Sequence, residues 1–345
     1  MKAAVLKEIG KRLSVEEVAD PVLAADEVLV ETRTCGICRT DLHIQEGLAY
    51  VPALPHIPGH EPAGVVVSVG SEVEAPKVGQ AVVPHLFVFD RDCPYTRSGQ
   101  HAQATHLRGI LGVSLPGGFA EYFKAPARNL LPVPAGVPLD VAGLTSCAVI
   151  TAVHAYRKSQ LGPLDTAVVL GAGGIGLILV QLLHSAGIRT IAVDRSAASL
   201  DQARRAGAKL AVSFDDAQAV DQVRALAGAG KDGADCVFEL VGRAATMKFA
   251  SQVARRGGRI VVIGEEAEFP SIDTITLAQR ELQIIGSRNG GLQDALDALD
   301  LLARGVLRPP IAAHFPLERI NNAFDLVRSG QANGRVIVTL DDANA

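Results

Sequence analysis

The hexapeptide Gly171-Ala172-Gly173-Gly174-Ile175-Gly176 constrains the fold more than any other stretch of this 345-residue chain. A G-x-G-x-x-G alone is a weak signal, because glycine turns also pack helix on strand with no ligand present. Here it follows the apolar run Ala167–Leu170 and opens an apolar helical segment. In that setting the glycines let the backbone approach a pyrophosphate, whose charge the helix N-terminus meets. Asp194 closes the next apolar run, 18 residues after Gly176. An acid there accepts hydrogen bonds from a ribose diol and repels a 2′-phosphate, which favours NAD over NADP. Arg195 works against that preference, since a neighbouring guanidinium can host a phosphate.

From about Asp165 the texture alternates between apolar strand and helix, which predicts a parallel sheet with crossover helices. Strands are expected at Ala167–Leu170, Thr190–Val193, Leu210–Val212, Cys236–Glu239, Arg259–Ile263 and Leu282–Ile285. Helices are expected at roughly Gly174–Ala186, Ala197–Ala206, Ala217–Leu226 and Ala244–Val253. Six strands complete a doubly wound dinucleotide-binding sheet. The first half is instead β-rich, with short strands at Val28–Val30, Gly64–Val69 and Val78–Pro84. The tail from about Leu292 opens with a helix and ends in the apolar strand Gly334–Leu340. It is expected to return to the first domain. The expected domains are therefore residues 1–152 with 292–345, and residues 153–291.

Residues 166–183 carry no charge and are mostly apolar, but the glycines at 171, 173, 174 and 176 break them into a strand and a helix rather than a membrane span. The N-terminal residues lack the apolar stretch of a signal peptide, so a soluble, cytoplasmic protein is expected. A net charge of −4 gives no reason to expect nucleic acid. Five cysteines, at 35, 38, 93, 147 and 236, are too few and too irregular for a disulfide framework. Buried thiols or metal ligands fit better.

Metal ligation is the sharper possibility. Cys35-Gly-Ile-Cys38-Arg-Thr-Asp-Leu-His43, Gly59-His60-Glu61 and Cys147 offer two thiolates and an imidazole. A zinc held by three such ligands keeps an exchangeable position and acts as a Lewis acid, whereas a zinc held by four cysteines only supports structure. For His60 alone, a satisfied structural histidine is the default reading.

Taken together, these segments resemble the zinc-dependent medium-chain alcohol dehydrogenases. The resemblance spans nearly the whole chain. It includes the Cys38-Arg-Thr-Asp-Leu-His run, Gly59-His60-Glu61, Gly117–Tyr122, Ala127-Arg128-Asn129, the glycine signature and the terminal Phe324–Gly330. It implies an α/β fold with a GroES-like β-rich catalytic domain plus a doubly wound parallel-sheet Rossmann domain. It also implies one catalytic zinc per subunit, held by Cys38, His60 and Cys147. Glu61 lies beside the metal and can enter its coordination; its bland alternative is a salt bridge. Cys35 is then a small buried thiol. Thr40 and His43 resemble the family's proton relay, and Asp41 a group that orients His60. Arg39 resembles a pyrophosphate contact, or else an exposed ion pair. Thr151 is expected beside the nicotinamide, and Ile175 behind that ring.

The chain departs from the family at a lobe that holds a second, structural zinc in many relatives. In the register set by Arg97-Ser98-Gly99, the four ligand positions fall on Asp90, Cys93, Thr96 and Ala104. Threonine and alanine cannot close a tetrahedral site, so no structural zinc is expected. A rearranged site using Asp90 or Asp92 with Cys93, His101 and His106 lacks clean pairwise spacing. Apolar packing and charge pairs are expected to hold the lobe.

The expected activity is reversible oxidation of a primary or secondary alcohol, medium-sized and cyclic ones included, with hydride transfer to NAD. Leu48, Leu86, Phe87 and Leu115 are candidate pocket residues, and a low aromatic content of 4% with no Trp suggests an aliphatic pocket. Three alternatives remain open: a same-fold dehydrogenase of a hydroxyacyl thioester or polyol, a zinc-free quinone or enoyl reductase, and a non-catalytic NAD-binding protein. A homodimer or homotetramer is expected because relatives assemble that way.

Overall fold

The structure is a computed structural model that describes residues 1–48, 50–89, 93–227, 230–266 and 268–340. Two compact units emerge. The first comprises residues 1–150, 290–305 and 310–345, and the second residues 151–289 and 306–309. Residues 306–309, expected with the first domain, group with the second. The reason is local: the Gln181 amide brackets Arg308, donating to its carbonyl at 3.0 Å and accepting from its N–H at 2.7 Å.

The second unit is a six-stranded parallel sheet. Its spatial order is Leu210–Ser213, Arg189–Asp194, Thr166–Leu170, Ala234–Glu239, Ala254–Val262 and Gln283–Gly286. Every residue of the central strand Thr166–Leu170 is buried. It lies inside the sheet with a parallel strand on each side, and it reads as a nearly unbroken apolar run. Thr166–Leu170 ends at the glycine turn, and the helix Gly174–Ser185 follows it. The apolar run of residues 166–183 is thus split in two, and among the described residues no single helix is long and apolar enough to cross a membrane. The helix Ala197–Arg205 starts where the Ser196 hydroxyl accepts the Ser199 N–H, a cap that satisfies one orphan donor. Val168, Leu170, Ile191, Val193, Val237 and Ile260 belong to the core of this unit.

The first unit is built on a seven-stranded sheet. Its axis is the long strand Glu27–Ile37, with Glu61–Val69 antiparallel on one side and Arg335–Thr339 antiparallel on the other. Gly36 pairs with Glu61, and Ile37 with Val336. These registers bring the strand ends at Cys38, His60-Glu61 and Arg335 together. The extension of Glu27–Ile37 beyond Val30 was not expected, because Thr32, Arg33 and Thr34 break the apolar pattern; pairing on both flanks overrides it. Conversely, the expected strand at Val78–Pro84 begins only at Ala81, and Val78 is exposed. Leu42, Ile44, Phe119, Phe324 and Val338 fill one core of this unit.

Candidate active site

The helix Arg39–Glu46 starts directly after the long strand, and Cys38 is its extended N-cap. Asp41, in the first turn, is fully buried and takes up three donors. Its carboxylate accepts the Cys38 N–H at 2.8 Å and the Gly59 N–H at 3.3 Å, and lies 3.1 Å from His60 Nδ1. A carboxylate can only accept, so Nδ1 carries a proton toward Asp41. The other ring nitrogen, Nε2, is buried and has no hydrogen-bond partner.

Around that nitrogen gather Cys38, Glu61 and Cys147. One ligand atom from each of the four side chains lies within 4.8 Å of all the others. Two sulfurs, one imidazole nitrogen and a carboxylate oxygen suit a tetrahedral zinc, and the partnerless Nε2 is the buried lone pair such an ion would satisfy. The hydrogen bond from the Cys147 thiol, together with His60, holds the Cys38 thiol well below its usual range against the cost of burial. The same hydrogen bond and burial push Cys147 well up. Burial opposes charge on His60, but Asp41 and Cys38 outweigh it and hold the ring well above its ordinary value. Cys35 stays outside this group, its thiol facing the Gly36 carbonyl at 3.7 Å.

Glu61 is fully buried, and one of its oxygens is paired with the Arg335 guanidinium. Its other oxygen has no partner. Burial raises the Glu61 carboxyl to about 7, while Arg335 pulls it back down. The pair needs Gly36, because a Cβ there would lie 2.2 Å from Glu61 Oε2 and 2.8 Å from Leu144 Cδ2. Sequence reasoning missed both Arg335 and Gly36. The available signal was a charged residue at the head of the apolar strand Val336-Ile337-Val338.

Thr40 and His43 stand three residues apart on one helix, hence on one face. Thr40 Oγ1 lies 3.8 Å from Cys38 Sγ, and His43 is buried. Arg39 is exposed at the helix start. Thr151 is buried on the helix Ala148–Ser159, four residues past Cys147. Leu86 and Phe87 belong to an apolar cluster against which Cys147 packs. Leu48 and Leu115 are not in that cluster. Leu48 is exposed beyond the helix C-cap Gly47, and Leu115 packs over Gly109.

The lobe around Cys93 is arranged differently. Cys93 Sγ lies 3.5 Å from Thr105 Oγ1, and the Thr96 hydroxyl donates to the Cys93 carbonyl at 2.8 Å. The rings of His85, Phe89 and His101 pack together, with centroids 4.6 to 5.8 Å apart. His101 Nδ1 accepts the Leu292 N–H at 3.2 Å, and His106 is exposed. Beyond the expected packing, two side chains brace the strand backbone. Arg128 donates to the Phe89 carbonyl, and the Asn129 amide to those of His85 and Phe87. Asp90 and Asp92 lie outside the described residues.

In the second unit, Gly171 has φ +103°, and a Cβ on Gly176 would lie 2.0 Å from the Gly171 carbonyl oxygen. Gly173 caps the helix Gly174–Ser185, and a Cβ there would meet nothing within 4 Å. The first-turn N–H groups at Gly174 and Ile175 have no acceptor within the helix, so the open cradle over them fits a pyrophosphate. Asp194 accepts the Ala172 and Ser196 N–H groups, each at 2.8 Å. Glu239, missed from sequence, is fully buried and accepts the Val241 and Gly242 N–H groups at about 3.0 Å.

Known proteins resemble this chain in sequence and in fold. Residues 24–135 match the family Alcohol dehydrogenase GroES-like domain, and residues 174–304 the family Zinc-binding dehydrogenase. An alcohol dehydrogenase of Geobacillus stearothermophilus is 35% identical, over 99% of this chain and 100% of its own. An NAD-dependent alcohol dehydrogenase of Sulfurisphaera tokodaii is 30% identical, over 98% of this chain and 99% of its own. The crystal structure of the alcohol dehydrogenase of Aeropyrum pernix superposes with a TM-score of 0.92 at 29% identity, covering 99% of this chain and 100% of that one. With two family matches in order and a full-length relative at that identity, the chain belongs to the zinc-dependent medium-chain alcohol dehydrogenase family.

Proposed function

We propose that this oxidoreductase is a zinc-dependent, NAD-linked alcohol dehydrogenase, with one zinc per subunit, acting on primary or secondary alcohols of medium size. The observation that carries the reading is the gathering of Cys38, His60, Glu61 and Cys147 around a partnerless imidazole nitrogen. Bound there, zinc supplies Lewis acidity to an alcohol oxygen, and NAD supplies the hydride acceptor.

The chain's own residues do the rest. Cys38, His60 and Cys147 hold the metal, and Asp41 fixes the imidazole by taking its other N–H. Arg335 holds Glu61 beside them, ready to enter the coordination. Thr40 takes the alcohol proton and His43 passes it toward solvent. The glycine turn admits the cofactor pyrophosphate, and Asp194 takes the ribose diol. Arg39, Thr151 and Ile175 contact the rest of the cofactor. Leu86 and Phe87, packed with Cys147, give the pocket an apolar wall, while among the described residues nothing joins Leu48 or Leu115 to that cluster.

A homodimer or homotetramer fits the exposed Ile284 on the edge strand Gln283–Gly286 of the parallel sheet. A cytoplasmic location fits five cysteines that are all free. The decisive experiment is metal content per subunit alongside alcohol oxidation with NAD. One zinc, with activity that disappears on chelation and returns with zinc, is expected. Full turnover by metal-free protein would overturn the reading.

A further inference from the structure

Arg195 poses a problem for NAD preference, because it places a guanidinium next to the acid that rejects a 2′-phosphate. The structure shows what occupies it. The strand Leu210–Ser213 runs parallel to Arg189–Asp194 with Ser213 opposite Asp194, and the Phe214 N–H donates to the Asp194 carbonyl at 2.9 Å. That register delivers Phe214 and Asp215 beside Arg195. The Arg195 guanidinium carbon lies 5.3 Å from the centre of the Phe214 ring, and Arg195 Nε lies 3.1 Å from Asp215 Oδ1. The ring offers its negative face and the carboxylate its charge, so the guanidinium is engaged from two sides.

Resting on the NAD reading above, we infer that Asp215 is a cofactor-selectivity residue that acts through Arg195. It neutralises the cation that would otherwise host a 2′-phosphate. A role in folding is a poor account of the pair, since its side chains are 64% and 63% exposed and such pairs add little stability. The same exposure sets the size of the effect: one solvent-screened charge contact, worth about three- to tenfold in affinity. The ligand chemistry at stake is a phosphomonoester on the adenosine ribose.

The test is cofactor binding, read independently of turnover. The chain has no Trp, so nicotinamide fluorescence gives a clean titration of NADH and NADPH with the full zinc-loaded protein. Asp215→Asn is expected to raise the ratio of NADPH to NADH affinity by about three- to tenfold at low salt, with the gain shrinking as salt rises. In an Arg195→Ala background the same substitution is expected to change the ratio by less than about twofold, because its route is gone. An unchanged ratio in Asp215→Asn overturns the inference, as does an equal gain with and without Arg195. If the unaltered protein binds neither dinucleotide, the nucleotide reading falls and takes this inference with it. If it binds NADH and only the variants fail to behave, the inference falls alone. Asp215→Ala serves as a second variant, with the same expectation, should Asp215→Asn not fold.

Discussion

Two regions of the first unit carry cysteine and histidine side chains, and they differ in whether their ligand-type atoms converge. Around Cys38 and His60, buried polar atoms are left over: His60 Nε2 and Glu61 Oε1 have no partner. Around Cys93 the sulfur meets the Thr105 hydroxyl; His85 Nδ1 and Asn129 Oδ1 are buried without a partner there too, but among the described residues no cluster of metal-ligating atoms forms in that lobe. Leaving a buried donor or acceptor unpaired costs about 1–3 kcal/mol, and a bound ion offsets that cost most directly where several ligand-type atoms lie close together. The difference is between four ligand-type atoms gathered within 4.8 Å of one another and a cysteine that meets a hydroxyl.

The largest effect is expected where the four atoms gather. Cys38→Ser should remove zinc and lower kcat/KM by about 10³-fold or more, since a hard hydroxyl replaces a thiolate ligand. Metal analysis and alcohol oxidation check it, and a variant that kept both would take Cys38 out of the ligand set. Next comes Arg335→Met, which leaves Glu61 buried without its counter-charge. A stability loss of about 3–5 kcal/mol in urea unfolding is expected, with much of it recovered in the double variant Arg335→Met/Glu61→Gln. If the single and double variants were equally unstable, the Glu61–Arg335 pairing would not be the cause.

Glu61 also sets a pH dependence in the metal-free protein. Its folded value of about 7 stands above the ordinary 4.5, so the folded state holds the proton more tightly than the unfolded chain. The contribution to stability is therefore full below about pH 4.5 and is lost as pH rises through about 7, at most about 3 kcal/mol in all. Glu61→Gln should flatten that downward slope, measured by urea unfolding at several pH values; an unchanged slope assigns it to other groups. A smaller effect is expected at His43. His43→Ala should slow alcohol oxidation by on the order of tenfold at low pH and little at high pH, where buffer can take the proton directly. A parallel loss at every pH would remove His43 from the proton path.

The two regions also differ in how much of them could be read beforehand. The parallel sheet was legible because local pattern and burial agree. Thr166–Leu170 is apolar at nearly every position and buried at all of them, and glycines or acids punctuate each end. Cys38 and His60 were legible because each sits in a short recognisable run, whereas Cys147 was legible only through the family resemblance. Arg335 was not, because its meeting with Glu61 depends on pairing between strands 274 residues apart. Gly36 was hidden for the same reason: nothing near it in sequence says that a carboxylate will occupy the space a Cβ would need. The lobe was legible only as a loss. Asp90, Thr96 and Ala104 said which ligands were missing, but not that Arg128 and Asn129 would brace the strand from another segment.

The smallest expected effect is the one that sharpens the contrast most. Cys93 is the lone cysteine of its lobe, and its sulfur contacts the Thr105 hydroxyl. Cys93→Ala should therefore leave one zinc per subunit and change alcohol oxidation by less than about twofold, while thermal unfolding falls by no more than about 3 °C, as for loss of one side-chain contact. Cys38→Ser measured alongside gives the opposite result if the two regions differ as argued. A zinc content that dropped in both variants would show that Cys93 also holds metal, and the contrast between converging and scattered ligand atoms would lose its meaning for this protein.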